Sequence, residues 1–388
     1  MKELKSIVEA YRQNQSAQRK QAVATVVRVH GSAYRSPGAR MLIFDDGRWV
    51  GSISGGCLEG DALRKARTVM TEGKSLLITY DTREESNQQL GIGLGCNGVI
   101  DVLIEPVLST DPNNPLSIFE RIIERNEPVA FATVLTGELI GEKMLLFPDG
   151  SIFNGITDDK LSVAVSGKLQ TIFSEPRSHT AKVNDEEVFL EWIQPVINLL
   201  IFGGGFDARP VCAFAKQLGW NVQVTDECVS HIAPVFFPQA DKLTLCQRTF
   251  IDREFSITPF TACVLMSHNY EYDRDVLKKI LRSATPYIGI IGPRKRFEKM
   301  RNELEQQGVL FNADDLHRIH APAGLDIGAE TPDEIALSIL AEIQSKFTGR
   351  SGGFLKYRSG PIHQRNPKSD EVCKQVLLTN PLAKTGSQ

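Results

Sequence analysis

The sequence predicts a mixed α/β protein: an N-terminal α+β domain followed by a C-terminal doubly wound parallel sheet. Three observations predict it. From Val196 onward, short β-branched strands alternate with helical stretches, the rhythm of a mostly parallel sheet. The first turn of that rhythm, Gly203-Gly204-Gly205, lies between a strand and a helix, as in Rossmann-type nucleotide folds. Before residue 106 the pattern differs, with a hairpin and two glycine-rich loops set among the strands.

Leu4, Ile7, Val8 and Tyr11 recur at helical spacing and open the chain with a helix within 1–20. Ala22–Val29 is an apolar, β-branched run and reads as a strand. The loop HGSAYRSPGAR (30–40) leads to a second strand, Met41–Phe44. Asp45-Asp46-Gly47 is a hairpin turn into a returning strand, Trp49–Ile53. GSISGGCLEGD (51–61) then precedes a helix from Leu58 to Glu72, and Ser75–Tyr80 is a strand. LGIGLGCNGVIDVLIE (90–105) carries a second glycine cluster and then a strand. Residues 107–195 read as an extension or linker. They hold a loop at Asp111–Pro115, a helix at Ser117–Arg125 and short strands such as Ala130–Leu135 and Lys143–Phe147. No internal repeat is read.

The C-terminal domain, 196–347, follows with strands at Val196–Phe202, Asn221–Thr225, Ala262–Met266 and Tyr287–Ile291. Helices are expected at Ala208–Leu218, Asp273–Arg282 and Arg294–Gln307. The last helix begins at Thr331-Pro332-Asp333-Glu334, with a capping threonine, a proline suited to the first helical position and a glutamate that completes a capping box. The tail, 348–388, is rich in Gly, Ser, Pro and Lys and reads as loosely ordered. The N-terminal domain is thus 1–106.

Composition narrows the class. The chain has 388 residues, 41% hydrophobic and 23% charged, with a net charge of −3. That balance offers no global attraction to nucleic acid or an anionic membrane. No apolar run approaches the roughly 20 residues of a membrane span, and the charged start lacks the core of a secretion signal. The expectation is a cytoplasmic protein. The seven cysteines are odd in number and no two have the spacing of a zinc knuckle or redox pair.

Four constellations carry chemistry. Gly203, Gly205 and Ala208 match Gly-x-Gly-x-x-Ala, and Asp226 ends the next strand. Glycines let backbone amides approach a pyrophosphate at a helix N-terminus, and Asp226 would hold a ribose hydroxyl pair, so NAD is favoured over NADP. Gly55-Gly56-Cys57 and Gly95-Cys96-Asn97-Gly98 each set a thiol among glycines, and Cys57 stands just before a helix, where thiols are more nucleophilic and better metal ligands. Arg35 and Arg40, in one loop with Pro37 and Gly38, suit a phosphate or another anion. Ser267-His268-Asn269 and Gly292-Pro293-Arg294 follow later strands, where doubly wound sheets bind ligands, so His268 and Arg294 are candidate contacts. The bland readings are a glycine turn shaped for packing, small buried cysteines, solvated arginines and a histidine that holds a turn. No P-loop, metalloprotease helix or nucleophile elbow is present.

These residues resemble the XdhC/CoxI family of xanthine dehydrogenase accessory factors. GSAYRSPGARML (31–42), GSISGGCLEGD (51–61), LGIGLGCNGVIDVLIEP (90–106) and IHAPAGLDIGAETPDEIALSILAEI (319–343) carry the resemblance, with MSHNYEYDRDVL (266–277) and YIGIIGPRKRFEKM (287–300) in support. The resemblance implies a homodimeric chaperone that binds the molybdenum cofactor, as molybdopterin or its dinucleotide form. It further implies sulfuration with a cysteine desulfurase and insertion into a xanthine dehydrogenase-type molybdoenzyme. It makes Cys57 and Cys96 candidate cofactor or sulfur contacts, with Cys57 a possible molybdenum contact, and Arg35 and Arg40 anion contacts. One departure stands out. The family usually has a histidine after the Gly-x-Gly, where this chain has Phe206, and Asp207 adds a negative charge beside the turn. Both count against an ordinary dinucleotide site. The two rivals are an NAD-dependent oxidoreductase and a recruitment module with a vestigial nucleotide site.

Overall fold

The computed structural model describes residues 1–14, 19–31, 33–82 and 98–359. They form two compact units, whose main bodies are Glu3–Gln194 and Pro195–Tyr357.

The N-terminal unit begins with α1 (Lys2–Asn14), β1 (Gln21–Gly31), β2 (Arg40–Phe44), β3 (Trp49–Gly51), α2 (Glu59–Glu72), β4 (Leu76–Asp81) and β5 (Gly98–Pro106). The strands pair antiparallel in the order β3-β2-β1-β5-β4. Alternation along the strands sends Ala24, Val26, Met41 and Ile43 to the face covered by Ala62, Ala66 and Val69 of α2. The helix stops at Gly73, whose φ of +67° few other residues adopt.

The same unit continues with α3 (Pro115–Arg125), β6 (Val129–Val134), β7 (Lys143–Leu146), β8 (Ile152–Asn154), α4 (Asp159–Ser174), β9 (His179–Val183) and β10 (Glu186–Ile193). These strands are also antiparallel, in the order β8-β7-β6-β10-β9. Asp158 caps α4 by accepting the Leu161 N–H, and Val165 and Leu169 pack on Ala130, Ala132 and Val188. Residues 107–195, read as an extension or linker, therefore build a second sheet. It has the plan of the first: helix, three strands, helix, two strands, in the same spatial order. The reading of no internal repeat is corrected. The sequence carries the repeat only locally, as MLIFDDG (41–47) against MLLFPDG (144–150), because the loops between have diverged in length. The second faces of the two sheets share a core of Val27, Leu103, Leu135 and Phe189.

The C-terminal unit holds β11 (Asn198–Phe202), α5 (Ala208–Gln217), β12 (Asn221–Asp226), β13 (Lys242–Leu245), α6 (Ile251–Glu254), β14 (Thr261–Leu265), α7 (Tyr270–Ile280), β15 (Tyr287–Ile290), α8 (Arg294–Gln306), α9 (Ala313–Arg318), β16 (Ile319–His320) and α10 (Pro332–Phe347). All its strands run parallel, in the order β13-β12-β11-β14-β15-β16. The chain leaves β11 in one direction and returns for β14, so the carboxyl ends of β11 and β14 flank the switch point. One face packs on α5 and α10, the other on α7 and α8. The Thr331–Glu334 capping box forms as the sequence implies. No described helix is long and apolar enough to cross a membrane. Of the tail, residues 360–388 lie outside the described residues.

Candidate functional site

The antiparallel order of the first sheet gathers the sequence motifs. β1 ends at Gly31 beside Gly98, the first residue of β5. β2 begins at Arg40, β3 ends at Gly51 opposite Met41, and β4 ends at Asp81 opposite Val99. The arginine loop and the Gly55-Gly56-Cys57 loop therefore leave the sheet at one end. They touch: a Cβ on Gly55 would lie 3.3 Å from the Tyr34 ring, which is 64% exposed. β4 and β5 also meet at this end; Gly95 and Cys96 between them lie outside the described residues.

Within this cluster Cys57 is half-buried and packs against the core between the sheet and α2. Gly56 has φ +116° and open space where a side chain would be. The amides of the turn that leads into α2 are already satisfied. Ser54 Oγ accepts the N–H groups of Gly56, Cys57 and Leu58 at 3.2, 3.1 and 3.1 Å, and donates to Glu59. Glu59 also accepts from the Ser54 N–H at 2.9 Å and the Ser52 hydroxyl at 2.7 Å. Burial opposes ionisation of Glu59, but the hydroxyls of Ser54 and Ser52 and the Ser54 amide outweigh it and hold the carboxyl below its ordinary range.

The two arginines have different fates. Arg35 is partly exposed, with one guanidinium nitrogen 2.5 Å from Glu3, so an incoming anion competes with that carboxylate. Arg40, read as an anion contact, is corrected by the structure. It is 3% exposed and its guanidinium is spent on Glu191 and the Gly38 carbonyl. A buried cation needs a buried partner, and Glu191 supplies it from the second sheet.

In the C-terminal unit the glycine turn closes on the chain itself. A Cβ on Gly203 (φ +114°) would lie 2.3 Å from the Ser267 Cα, and one on Gly204 would lie 2.5 Å from the His231 carbonyl oxygen. Gly205 has only the His268 ring near it, at 3.6 Å. Asp226, read as a ribose contact, is engaged within the chain. It is 5% exposed, and its carboxylate already accepts the Gly204 N–H at 2.9 Å and the Cys228 N–H at 2.8 Å, with His231 Nδ1 at 3.1 Å. A ribose hydroxyl would have to share these oxygens with donors of the chain itself. Asp207, the acidic residue beside the turn, has its carboxylate 3.0 Å from His268 Nε2 across the switch point. His268 holds a left-handed φ of +59°, uncommon outside glycine. Arg294 is 81% exposed in its side chain and pairs with Glu298 on its own helix at 3.0 Å.

Some groups went unread in the sequence. Asp273 is fully buried and bonded to Ser267 Oγ at 2.6 Å and Arg296 Nη2 at 2.9 Å. Burial still holds its carboxyl above the ordinary value. Glu342 accepts from the Tyr287 hydroxyl at 2.6 Å and the Gly324 N–H at 2.8 Å, and meets His320 Nδ1 at 3.0 Å. Burial works against its charge, but those three partners outweigh it and lower its pKa. Tyr34 had no signal beyond its neighbour Arg35. Among the described cysteines, burial pushes the Cys212 thiol up to about 11 and that of Cys263 to about 12 and also raises that of the buried Cys246, leaving Cys57 and the exposed Cys228 in reach of solvent. Among the described residues, no group of three or more His, Cys, Asp or Glu side chains is placed to hold a metal ion.

Known proteins resemble this chain in sequence and fold. The model of the XdhC and CoxI family matches residues 15–81, and the XdhC Rossmann domain matches residues 199–343. A Bacillus subtilis (strain 168) protein named as a probable xanthine dehydrogenase subunit is 30% identical over 327 residues, 84% of this chain and 93% of that one. The chain belongs to the XdhC and CoxI family. The family's first model spans both loops of the N-terminal cluster, and its Rossmann model spans the switch point. PaoD of Escherichia coli (strain K12), a molybdenum cofactor insertion chaperone, is 24% identical over 323 residues, 83% of this chain and 82% of its own length. The crystal structure of a Bacillus halodurans protein described as a xanthine dehydrogenase matches with a TM-score of 0.73 at 28% identity, covering 89% of this chain and 97% of that one.

Proposed function

We propose that this XdhC-type chain is a cytoplasmic accessory factor that binds the molybdenum cofactor, supports its sulfuration and delivers it to a xanthine dehydrogenase-type molybdoenzyme. A cysteine desulfurase is the proposed sulfur donor and a homodimer the proposed state. The cofactor, molybdopterin or its dinucleotide form, is cargo here, so it is treated as a substrate. The observation that carries the reading is the cluster at one end of the first sheet. It combines an arginine held by a single displaceable carboxylate, an exposed tyrosine ring over a glycine loop and a half-buried thiol. A phosphate-bearing pterin dithiolene calls for such groups: a guanidinium for the phosphate, a ring face for the pterin and a soft sulfur near the metal. The name of PaoD supports the same role. The NAD-dependent reading is disfavoured, because Asp226 is occupied within the chain.

The test is pterin fluorescence and molybdenum content of protein purified without oxygen from a host that makes the cofactor. About one pterin with metal per chain is expected. Arg35→Ala is expected to weaken retention of the phosphate-bearing pterin by about tenfold, the order of one charge-assisted contact. Cys57→Ala is expected to lower bound molybdenum more than bound pterin. A wild-type protein free of pterin, with the host's molybdoenzymes fully loaded, would sink the proposal.

A further inference from the structure

The two sheets of the N-terminal unit correspond residue by residue. In the first, Thr25 stands opposite Arg40 and Val23 opposite Glu105; in the second, Thr133 stands opposite Lys143 and Phe131 opposite Glu191. The loop geometry also repeats. Val26 and Ala39 share a backbone bond and Gly38 donates to Val26, just as Val134 pairs with Glu142 and Gly141 donates to Val134. Gly38 and Gly141 have φ of +93° and +95°. Each cation also donates to the carbonyl of the glycine two residues before it, at 2.8 Å from Arg40 and 2.6 Å from Lys143.

The ion pairs are exchanged between the copies. Arg40 of the first copy binds Glu191 of the second, and Lys143 of the second binds Glu105 of the first. All four side chains are buried. This is the reciprocity of a two-fold interface, here inside one chain. The copies differ in what their loops carry. The first copy's cation and glycine anchor the loop that holds Tyr34 and Arg35; the counterpart loop, LTGELIGE (135–142), has neither arginine nor cysteine.

We infer that Glu191, supplied by the second copy, is the positioning residue that holds the first copy's arginine loop in its binding geometry. Its two oxygens grip both terminal nitrogens of Arg40, and Oε1 lies 2.6 Å from where a Cβ on Gly38 would sit. Carboxylate, guanidinium and Gly38 carbonyl form one clamp on the root of the loop. The inference rests on the loop being part of the cofactor site, while the clamp itself is readable without any ligand.

The mirror pair supplies the control. Glu191→Gln and Glu105→Gln remove equivalent buried charges from equivalent positions. Site-resolved amide exchange on the full chain then reads each loop. Glu191→Gln is expected to speed exchange of the Gly38 and Ala39 amides at least about tenfold relative to Gly141 and Glu142, and Glu105→Gln to do the reverse. Pterin retention is expected to fall with Glu191→Gln and to hold with Glu105→Gln. If Glu191→Gln does not fold, Glu191→Asp, which keeps the charge and withdraws it by one methylene, is read the same way. The clamp is overturned if Glu191→Gln leaves Gly38 and Ala39 unchanged, or speeds all four amides alike. The positioning role is overturned if the loop loosens and pterin retention is untouched. A wild-type protein without pterin removes the cofactor reading and with it the ligand-positioning role, whatever the exchange data show of the clamp.

Discussion

Arg35 and Arg40 belong to one short loop, yet only one of them faces solvent. Their sequence context is the same, so the sequence offers both as anion contacts. What separates them is Glu191, 151 residues from Arg40 along the chain, and pairing at that range leaves no local signature. The energetic stakes differ accordingly. Arg40→Ala is expected to cost about 3–5 kcal/mol of unfolding free energy, because it strands a buried carboxylate. Arg35→Ala should fall within about 1 kcal/mol, as for an exposed pair. Urea denaturation of the two variants checks both. Glu59 gives a pH-dependent counterpart. Its carboxyl pKa is lowered by folding, so its ionised form stabilises the native state above the ordinary value of 4.5. That contribution disappears as pH falls through the lowered native value. Glu59→Gln should therefore be less stable than wild type at pH 7 by about 1–2 kcal/mol, and the gap should narrow below about pH 4.5. A gap that widened in acid would mean that Glu59 is held neutral.

At the scale of elements, the parallel strands and their helices were legible because β-branched runs and amphipathic periods are strong signals. β13 and β16 were not, being short and only partly buried. α4 also went unread. Its LSVAVSGKLQTIF stretch is full of residues with weak helix propensity, and packing of Leu161, Val165 and Leu169 on the second sheet overrides that. The glycine turn shows the limit of a motif. The strand–turn–helix context was right, and the glycines are required, but Gly203 and Gly204 admit Ser267 and His231 of the chain itself. Gly203→Ala should therefore destabilise the protein by about 3 kcal/mol or more, from a Cβ pressed on backbone at positive φ. Gly205→Ala, with only a ring at contact distance, should cost about 1 kcal/mol or less. Equal costs at the two positions in thermal melts would mean that the turn relaxes away from Ser267.

For the whole molecule, the fold class followed from the change of rhythm at Val196, but the second sheet did not. Its kinship with the first rests on strand order and register, and only a seven-residue echo of it survives in the letters. Each unit has its own cores. Ile339→Ala, a truncation of a fully buried α10 side chain, should cost about 2–5 kcal/mol. It should raise amide exchange across the C-terminal unit while the protection of β1 and β5 stays as in wild type. The duplicated unit also bears on stoichiometry. Two identical subunits must change both mouths whenever they change one, because a single gene writes both. Once the halves share a chain, each is written separately. Here the first half carries the glycine, tyrosine and cysteine loops, and the counterpart loop of the second, 135–142, has neither arginine nor cysteine. On the proposed reading such a tandem carries one mouth per chain where a dimer of identical halves would show two, so a cofactor titration should saturate near one equivalent per polypeptide.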